Sequence, residues 1–482
     1  MAAPVDPVKA AEEVAYRGAM IVLTVIVMLA AYLRLHNLAA DSLWRDETTS
    51  LAQSSGSLFH IITATAQDNY PPLHNFILAL TVKLLGDGPW ALRLPSAILG
   101  IVSVAALYWV GAMIGGRVAG LIAAFLLAVA PFAIYYSQEA RPYAVLMCAA
   151  VLFAGAALSF LRKASTGWAV AVFLSGVALL YSHPYGALLW LAVAATALAV
   201  IIARPQPGGA TALRWLLLQL VIVVAFAPWL VVLLQRAAAL EQSGFWISYP
   251  SVPFVSIQLE NVAGGTLAGV LLVAAATVAF VRPAIAVEHS PLVKPGNVPL
   301  RLGATPLMLL VLAWLVLPVI AATAISLVGT PILYDRYLIG CLPALLLLAG
   351  VGLSRFVTRF STGLAATAVA VAIAILGVAF GTPSPRENWR GLSAYIAANL
   401  HPGDCVLFVD RDGAQAVEYY LRKPFCELYP ATFATTVASH VIAVSAGNYA
   451  ALDAALSSPD WRTGQPVQFN AIAAIPMTRA SP

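Results

Sequence analysis

Apolar runs of membrane-spanning length, separated by short polar or charged loops, recur along most of the chain. A helix needs about 20 predominantly apolar residues to cross the ~30 Å hydrocarbon core of a bilayer. Apolar length and loop charge together predict about eleven spans. They cover residues 18–35, 94–114, 118–135, 143–161, 168–181, 185–202, 215–234, 263–281, 306–327, 338–353 and 364–380. The first is too long for a signal peptide and lacks a small-residue cleavage site, so it reads as a retained span. The loop after it opens with Leu43-Trp44-Arg45-Asp46-Glu47-Thr48 and runs for roughly thirty residues, more than a helix connection needs. Residues 76–85 are apolar but short and carry Lys83, and they are assigned to the membrane interface.

That assignment fixes the topology. With the N-terminus inside, Arg117, Arg162-Lys163 and the basic loops at 204–214, 282–301 and 355–359 are cytoplasmic, which is the positive-inside pattern. The opposite face collects Asp46-Glu47, Gln138-Glu139-Ala140-Arg141, His183-Pro184, Asp335-Arg336 and the C-terminal tail. The loop at 235–261 also falls there and is aromatic, with Phe245, Trp246 and Tyr249. It suits a binding role and an interfacial aromatic belt equally.

After Pro383-Ser384-Pro385 the pattern shortens. Helices are predicted at 389–400, 415–421 and 449–456, and strands at 406–409 and 441–445, with Pro402-Gly403-Asp404 as a turn. The expected architecture is an α-helical polytopic membrane domain over residues 1–383 and a small extracytoplasmic α/β domain over 384–482.

Composition agrees: 61% of the residues are hydrophobic and 10% charged, which excludes a large soluble core. The net charge of +5 sits mostly in short loops, where it sets orientation, and no nucleic-acid partner is expected. Cys148 and Cys341 lie in apolar segments; Cys405 and Cys426 lie in the tail without CxxC spacing, so zinc is not expected, and outside the cytoplasm they are expected to form a disulfide.

Candidate chemistry gathers at one face. Asp46-Glu47 is a carboxylate pair able to take a proton or hold a cation, and equally a helix-start signal on a solvated loop. Tyr135-Tyr136-Ser137-Gln138-Glu139-Ala140-Arg141-Pro142-Tyr143 combines Glu139 and Arg141 with an aromatic belt, and Tyr334-Asp335-Arg336-Tyr337 repeats that mixture before a late span. His74 and His183 stand beside prolines, where a hydrogen-bonded structural histidine competes with a ligand. A transporter or lipid flippase is the competing reading, but its ionisable residues belong near the bilayer midplane, and the spans here are almost free of charge.

The order of these strings carries a resemblance. Asp46-Glu47, Tyr70-Pro71-Pro72-Leu73-His74, Leu92-Arg93-Leu94-Pro95-Ser96, the 135–143 string, Tyr181-Ser182-His183-Pro184-Tyr185 and Arg336-Tyr337-Leu338 together resemble the bacterial glycosyltransferases related to protein O-mannosyltransferases and to the lipid A aminoarabinose transferase (ArnT-like). The similarity covers about residues 20–355, and Asn388-Trp389-Arg390-Gly391 extends it into the tail. It implies a membrane-embedded GT-C fold with interfacial helices after the first span. It also implies transfer of a sugar from a polyprenyl-phosphate donor to a lipid, lipopolysaccharide or protein acceptor outside the cytoplasm, at the cell inner membrane. By similarity Asp46 is the base, and Glu47 orients it or binds a sugar hydroxyl. Arg336 is the better candidate for a phosphate clamp, with Arg141 beside it. Glu139, His74, His183, Tyr334 and Asp335 are further substrate-binding candidates. A divalent ion is left open, with Glu139 and His74 as possible helpers.

Overall fold

The computed structural model describes residues 7–68, 70–204, 209–243, 246–280, 304–357, 368–373, 375, 386–445 and 452–480. Two compact units divide the chain: one holds Met1–His36, Ile62–His74 and Ser96–Pro383, the other Asn37–Ile61, Asn75–Pro95 and Ser384–Pro482.

The helices run α1 (Pro7–Leu35), α2 (Arg45–Gln53), α3 (Leu58–Ala66), α4 (Leu73–Leu85), α5 (Pro89–Val129), α6 (Pro131–Ser137), α7 (Tyr143–Arg162), α8 (Thr166–Ser182) and α9 (Tyr185–Ile202). They continue with α10 (Gly209–Ser243), α11 (Val252–Ala263), α12 (Thr266–Val278), α13 (Ala304–Val328), a 3₁₀ turn at Asp335–Gly340 and α14 (Leu342–Ser354). Among the described residues six helices are long and apolar enough to cross a membrane, and a seventh if the α11–α12 pair counts as one. This is a multi-pass membrane protein.

The 41-residue α5 accounts for two of the expected spans, because Gly116 breaks it with φ 85°. A left-handed residue cannot continue a helix, and glycine adopts that conformation at low cost. α4 has 13 residues, short of a crossing, in keeping with the interfacial assignment. α8 and α14 are also short, with 17 and 13 residues, so the count of about eleven is reached only by including them. The expected span at 364–380 lies largely outside the described residues. The span expected at 263–281 differs: Gly264 and Gly265, both at positive φ, bend α11 against α12 by 78°.

Within the membrane unit α7 is central, with 94% of its apolar window buried. Small residues bring its neighbours close. A Cβ on Gly155 would stand 2.3 Å from the Trp109 ring, and one on Gly352 of α14 would stand 1.8 Å from the Ala275 carbonyl of α12. Close backbone approach is how helices associate where lipid is as apolar as the side chains.

The second unit is built on a sheet of order β2-β1-β3-β6-β4, with β5 also on β6. Its strands are β1 (Cys405–Phe408), β2 (Cys426–Leu428), β3 (His440–Ser445), β4 (Trp461–Thr463), β5 (Val467–Phe469) and β6 (Ile472–Arg479). β2, β1 and β3 are parallel, and β6 is antiparallel to β3. Helices α15 (Trp389–Asn399) and α16 (Arg411–Leu421) pack Trp389, Leu392, Ile396 and Val417 on one face, against Val406, Phe408, Ile442 and Val444. Phe433, Leu452 and Trp461 cover the other face. Cys405 and Cys426 are register partners across β1 and β2 and form the expected disulfide, while Cys148 and Cys341 are free and buried.

The sequence pattern missed β2, β4, β5 and β6. β6 carries Pro476, an unusual residue inside a strand. β4 pairs only with 477–479 and β5 only with 472–474. Pro476 falls in the gap between them, where its carbonyl accepts from Gly464 N–H and no N–H is required of it.

Residues Asn37–Ile61 of the first long loop belong to this unit. Leu43 N–H donates to Tyr420 Oη at 2.7 Å, Thr49 Oγ1 donates to Asp412 Oδ1 at 3.0 Å, and Arg390 N–H donates to Ser42 Oγ at 3.0 Å.

Candidate functional site

In the second unit Asp46 and Glu47 occupy the first turn of α2, where carboxylates favour the positive end of the helix. Glu47 is fully buried and bound bidentately by the equally buried Arg93: Nε donates to Oε1 at 2.8 Å and Nη2 to Oε2 at 2.7 Å. Arg93 gives its remaining N–H groups to the carbonyls of Leu38, Asp41 and Ser42, at 3.0, 3.1 and 2.8 Å. Five donors meet five acceptors, which is the full capacity of a guanidinium. Trp44 N–H also donates to Glu47 Oε2. These contacts fix the entry to α2 and turn the Glu47 carboxylate inward. Asp46 is half-buried, and its carbonyl accepts from Ser50 Oγ.

Around Asp46 lie more acids than the sequence pattern marked. Arg45 faces Asp410 at 3.4 Å and Glu387 at 3.9 Å, and Glu387 accepts from Trp389 Nε1 at 2.6 Å. Burial pushes the carboxyls of Glu387 and Asp412 above the usual range, and the charge of Asp46 adds to both shifts.

In the membrane unit the other candidates form an aromatic cluster threaded by two arginines. Arg336 stands over the rings of Trp246, Tyr334, Tyr337 and Tyr143 at 5.0, 5.2, 5.6 and 5.8 Å. Arg141 is buried and stacks on Tyr70 at 4.7 Å. Such faces hold a guanidinium without neutralising it. Tyr70 Oη lies 3.3 Å from Tyr337 Oη and 3.5 Å from Tyr143 Oη. His74 is buried with Nε2 3.0 Å from the Ala140 carbonyl, which ties it to the strand of chain carrying Glu139 and Arg141. Asp335 accepts from Asn261 Nδ2 at 2.8 Å and from its neighbour Arg336 N–H at 2.6 Å, while its own N–H donates to Gln258. Burial raises its carboxyl above the ordinary value. Phe245 lies outside the described residues.

His183 is buried between α8 and α9, ringed by Tyr70, Tyr185 and Tyr337. Its Nδ1 accepts from Tyr185 N–H at 3.0 Å, so a neutral ring carries its proton on Nε2. Among the described residues that Nε2 is buried without a protein partner. His183 lines a cavity of about 420 Å³ together with Tyr70, Tyr337 and Arg236. The walls are Leu188, Leu233, Leu234 and Ile325, from α9, α10 and α13, with Ile332 from the segment after α13. Arg236 Nε is likewise buried without a partner. Sequence reasoning passed over Arg236, although a lone cation ending the apolar run of α10 was a readable signal. Arg93 entered only as part of a string, and its role appears with Glu47 opposite it.

Among the described residues no cluster of three or more His, Cys, Asp or Glu is placed to hold a metal ion.

Residues 69–232 match the family model of dolichyl-phosphate-mannose-protein mannosyltransferases. YkcB of Bacillus subtilis (strain 168), a provisionally named mannosyltransferase, is 27% identical over 165 residues, covering 32% of this chain. The chain spans only 22% of that relative's length. Two solved structures share the fold. ArnT from Cupriavidus metallidurans bound to undecaprenyl phosphate has a TM-score of 0.60 at 16% identity, covering 95% of this chain and 98% of that one. The Archaeoglobus fulgidus oligosaccharyltransferase has a TM-score of 0.51 at 14% identity, covering 88% and 67%.

The fold is the GT-C membrane fold of these solved structures. Residues 69–232 are similar to the protein mannosyltransferases.

Proposed function

We propose that this protein transfers a sugar from a polyprenyl-phosphate carrier to an acceptor hydroxyl at the extracytoplasmic face of the cell membrane. The observation that carries the reading is the cavity of about 420 Å³, mostly hydrocarbon-walled, whose lining includes Arg236, His183, Tyr70 and Tyr337. A lipid phosphate asks for that combination: apolar walls for the isoprenoid, and donors for the phosphate oxygens. Arg236 Nε and His183 Nε2 are donors without a protein partner among the described residues. The structural likeness to an undecaprenyl-phosphate-bound ArnT agrees with this.

The acceptor oxygen attacks the anomeric carbon and its proton passes to the Asp46 carboxylate. The bond from that carbon to the phosphate oxygen breaks, and the carrier leaves as a lipid phosphate with the electron pair. A positioned base contributes about 10²–10⁴ in rate, and cations facing the departing phosphate stabilise the charge that develops there. Arg336, held in its aromatic cage, and Arg141 serve as further cations for the donor. The Cys405–Cys426 disulfide supports an oxidising, extracytoplasmic setting for the second unit.

The test is undecaprenyl-phosphate binding to the full chain in nanodiscs. A hydrogen bond to a charged group contributes about 1.5–3 kcal/mol, so Arg236→Ala should weaken binding by roughly 10- to 100-fold, with Arg236→Lys intermediate. Equal affinity in wild type and Arg236→Ala, or no binding by either, would overturn the reading.

A further inference from the structure

The second unit contains a crevice outside the carboxyl ends of β1 and β3. α16, which follows β1, packs on one face of the sheet, while Leu452 and Ala455, later in the chain than β3, pack on the other. A crevice outside the carboxyl ends of parallel strands is the recurrent ligand position of open α/β sheets. Here the gap is a pocket of about 170 Å³ lined by Phe408 and Val444 at the strand ends, Trp389, Gly413, Asp410 and Arg45.

Its lining selects for ligand chemistry. Arg45 is the cation, and Asp410, with Glu387 beside Arg45 and Asp412 two residues on, outweighs it. An anion such as phosphate is therefore disfavoured. A neutral polyol is not, because its hydroxyls can donate to a carboxylate and accept from a guanidinium. Aromatic and aliphatic walls meet the C–H faces of such a ring. Asp46 adjoins Arg45 in the chain and acts electrostatically on Glu387 and Asp412, so the crevice and the proposed base share one neighbourhood within this unit.

We propose that this crevice is a saccharide site that takes one neutral sugar ring of the acceptor, its hydroxyls bonded to the Asp410–Arg45 ion pair. The assignment of the ring to the acceptor rests on the transferase reading above; the crevice itself is separate from the lipid-phosphate cavity.

Equilibrium binding to the full chain in nanodiscs tests it. The probes are the methyl glycosides of mannose, glucose, galactose and N-acetylglucosamine, with inorganic phosphate and calcium chloride as controls. At least one glycoside should bind saturably. Asp410→Asn keeps a helix-capping side chain but removes the charge, and should weaken that binding about tenfold. Gly413→Val should abolish it: a Cβ at 413 already stands 3.3 Å from Trp389 and 3.4 Å from Phe408, so a larger side chain enters the pocket. If Gly413→Val fails to fold, Asp410→Asn alone decides. Undecaprenyl-phosphate binding should be unchanged in both variants. Absence of glycoside binding, undiminished binding in Asp410→Asn, or saturation by phosphate or calcium instead would overturn the proposal. Lost glycoside binding with undecaprenyl phosphate still bound removes the crevice alone; the reverse result removes the transferase reading and keeps the crevice.

Discussion

Replacing Arg93 with alanine removes the group that satisfies both oxygens of Glu47 and three backbone carbonyls. Both side chains are fully buried, so water cannot readily take over. Breaking one partner of a buried pair costs about 3–5 kcal/mol, because the remaining charge stays desolvated. At about 1.36 kcal/mol per factor of ten, the local opening equilibrium of α2 should shift by roughly 10²- to 10³-fold or more. Hydrogen exchange of the α2 amides in nanodiscs reads this directly. Asp46→Asn is the control, expected to leave α2 exchange near wild type while removing most transfer. Arg93→Ala should therefore lose both order and activity, and Asp46→Asn activity alone. An exchange change below about fivefold in Arg93→Ala, equivalent to about 1 kcal/mol, would refute the argument that this pair holds the base in place.

Two further results are expected. Burial, and then Arg141 and Arg336, hold His183 well below the ordinary imidazole value of 6.5. Its neutral ring stabilises the fold fully above about 6.5, and that stability is lost as pH falls from there toward the lowered native value, because the unfolded chain takes up a proton that the native state resists. Thermal unfolding in nanodiscs between pH 7.5 and 5 should be less acid-sensitive in His183→Asn, and an identical acid slope would sink this assignment. The Cys405–Cys426 bond closes a loop of sequence separation 21, and the chain-entropy model gives about 3 kcal/mol for such a loop. The double serine variant should lose that much protection in β1 and β2 by hydrogen exchange. Under denaturing conditions the wild type should show two thiols before reduction and four after; four before reduction would contradict the bond.

Much of the membrane unit is readable from apolar length alone, because a span in lipid must be long, apolar and hydrogen-bonded within itself. The α11–α12 bend was hidden because Gly264-Gly265 sits at the start of the apolar stretch read as one span, and the α11 residues before it read as loop. In the second unit, β1 and β3 announce themselves as runs of Val, Leu and Ile. β6, with two alanines and Pro476, draws its stability from pairing on both sides rather than from strand propensity. For the site, the strings around Asp46, Glu139, His183 and Arg336 mark the chemistry because charged and aromatic residues are rare in this chain. Their partners are less visible. Glu47 with Arg93, and Arg236 with His183, are brought together by the fold across 46 and 53 positions, and no local pattern encodes such a meeting.

The most direct test is mass spectrometry of envelope lipids and secreted proteins from cells lacking this gene, complemented with wild type or with Asp46→Asn. The account predicts one sugar-sized mass on a lipid or protein that is lost in the deletion, restored by wild type and not restored by Asp46→Asn. Full restoration by Asp46→Asn, or no sugar-sized difference in any lipid or protein on deletion, would contradict it.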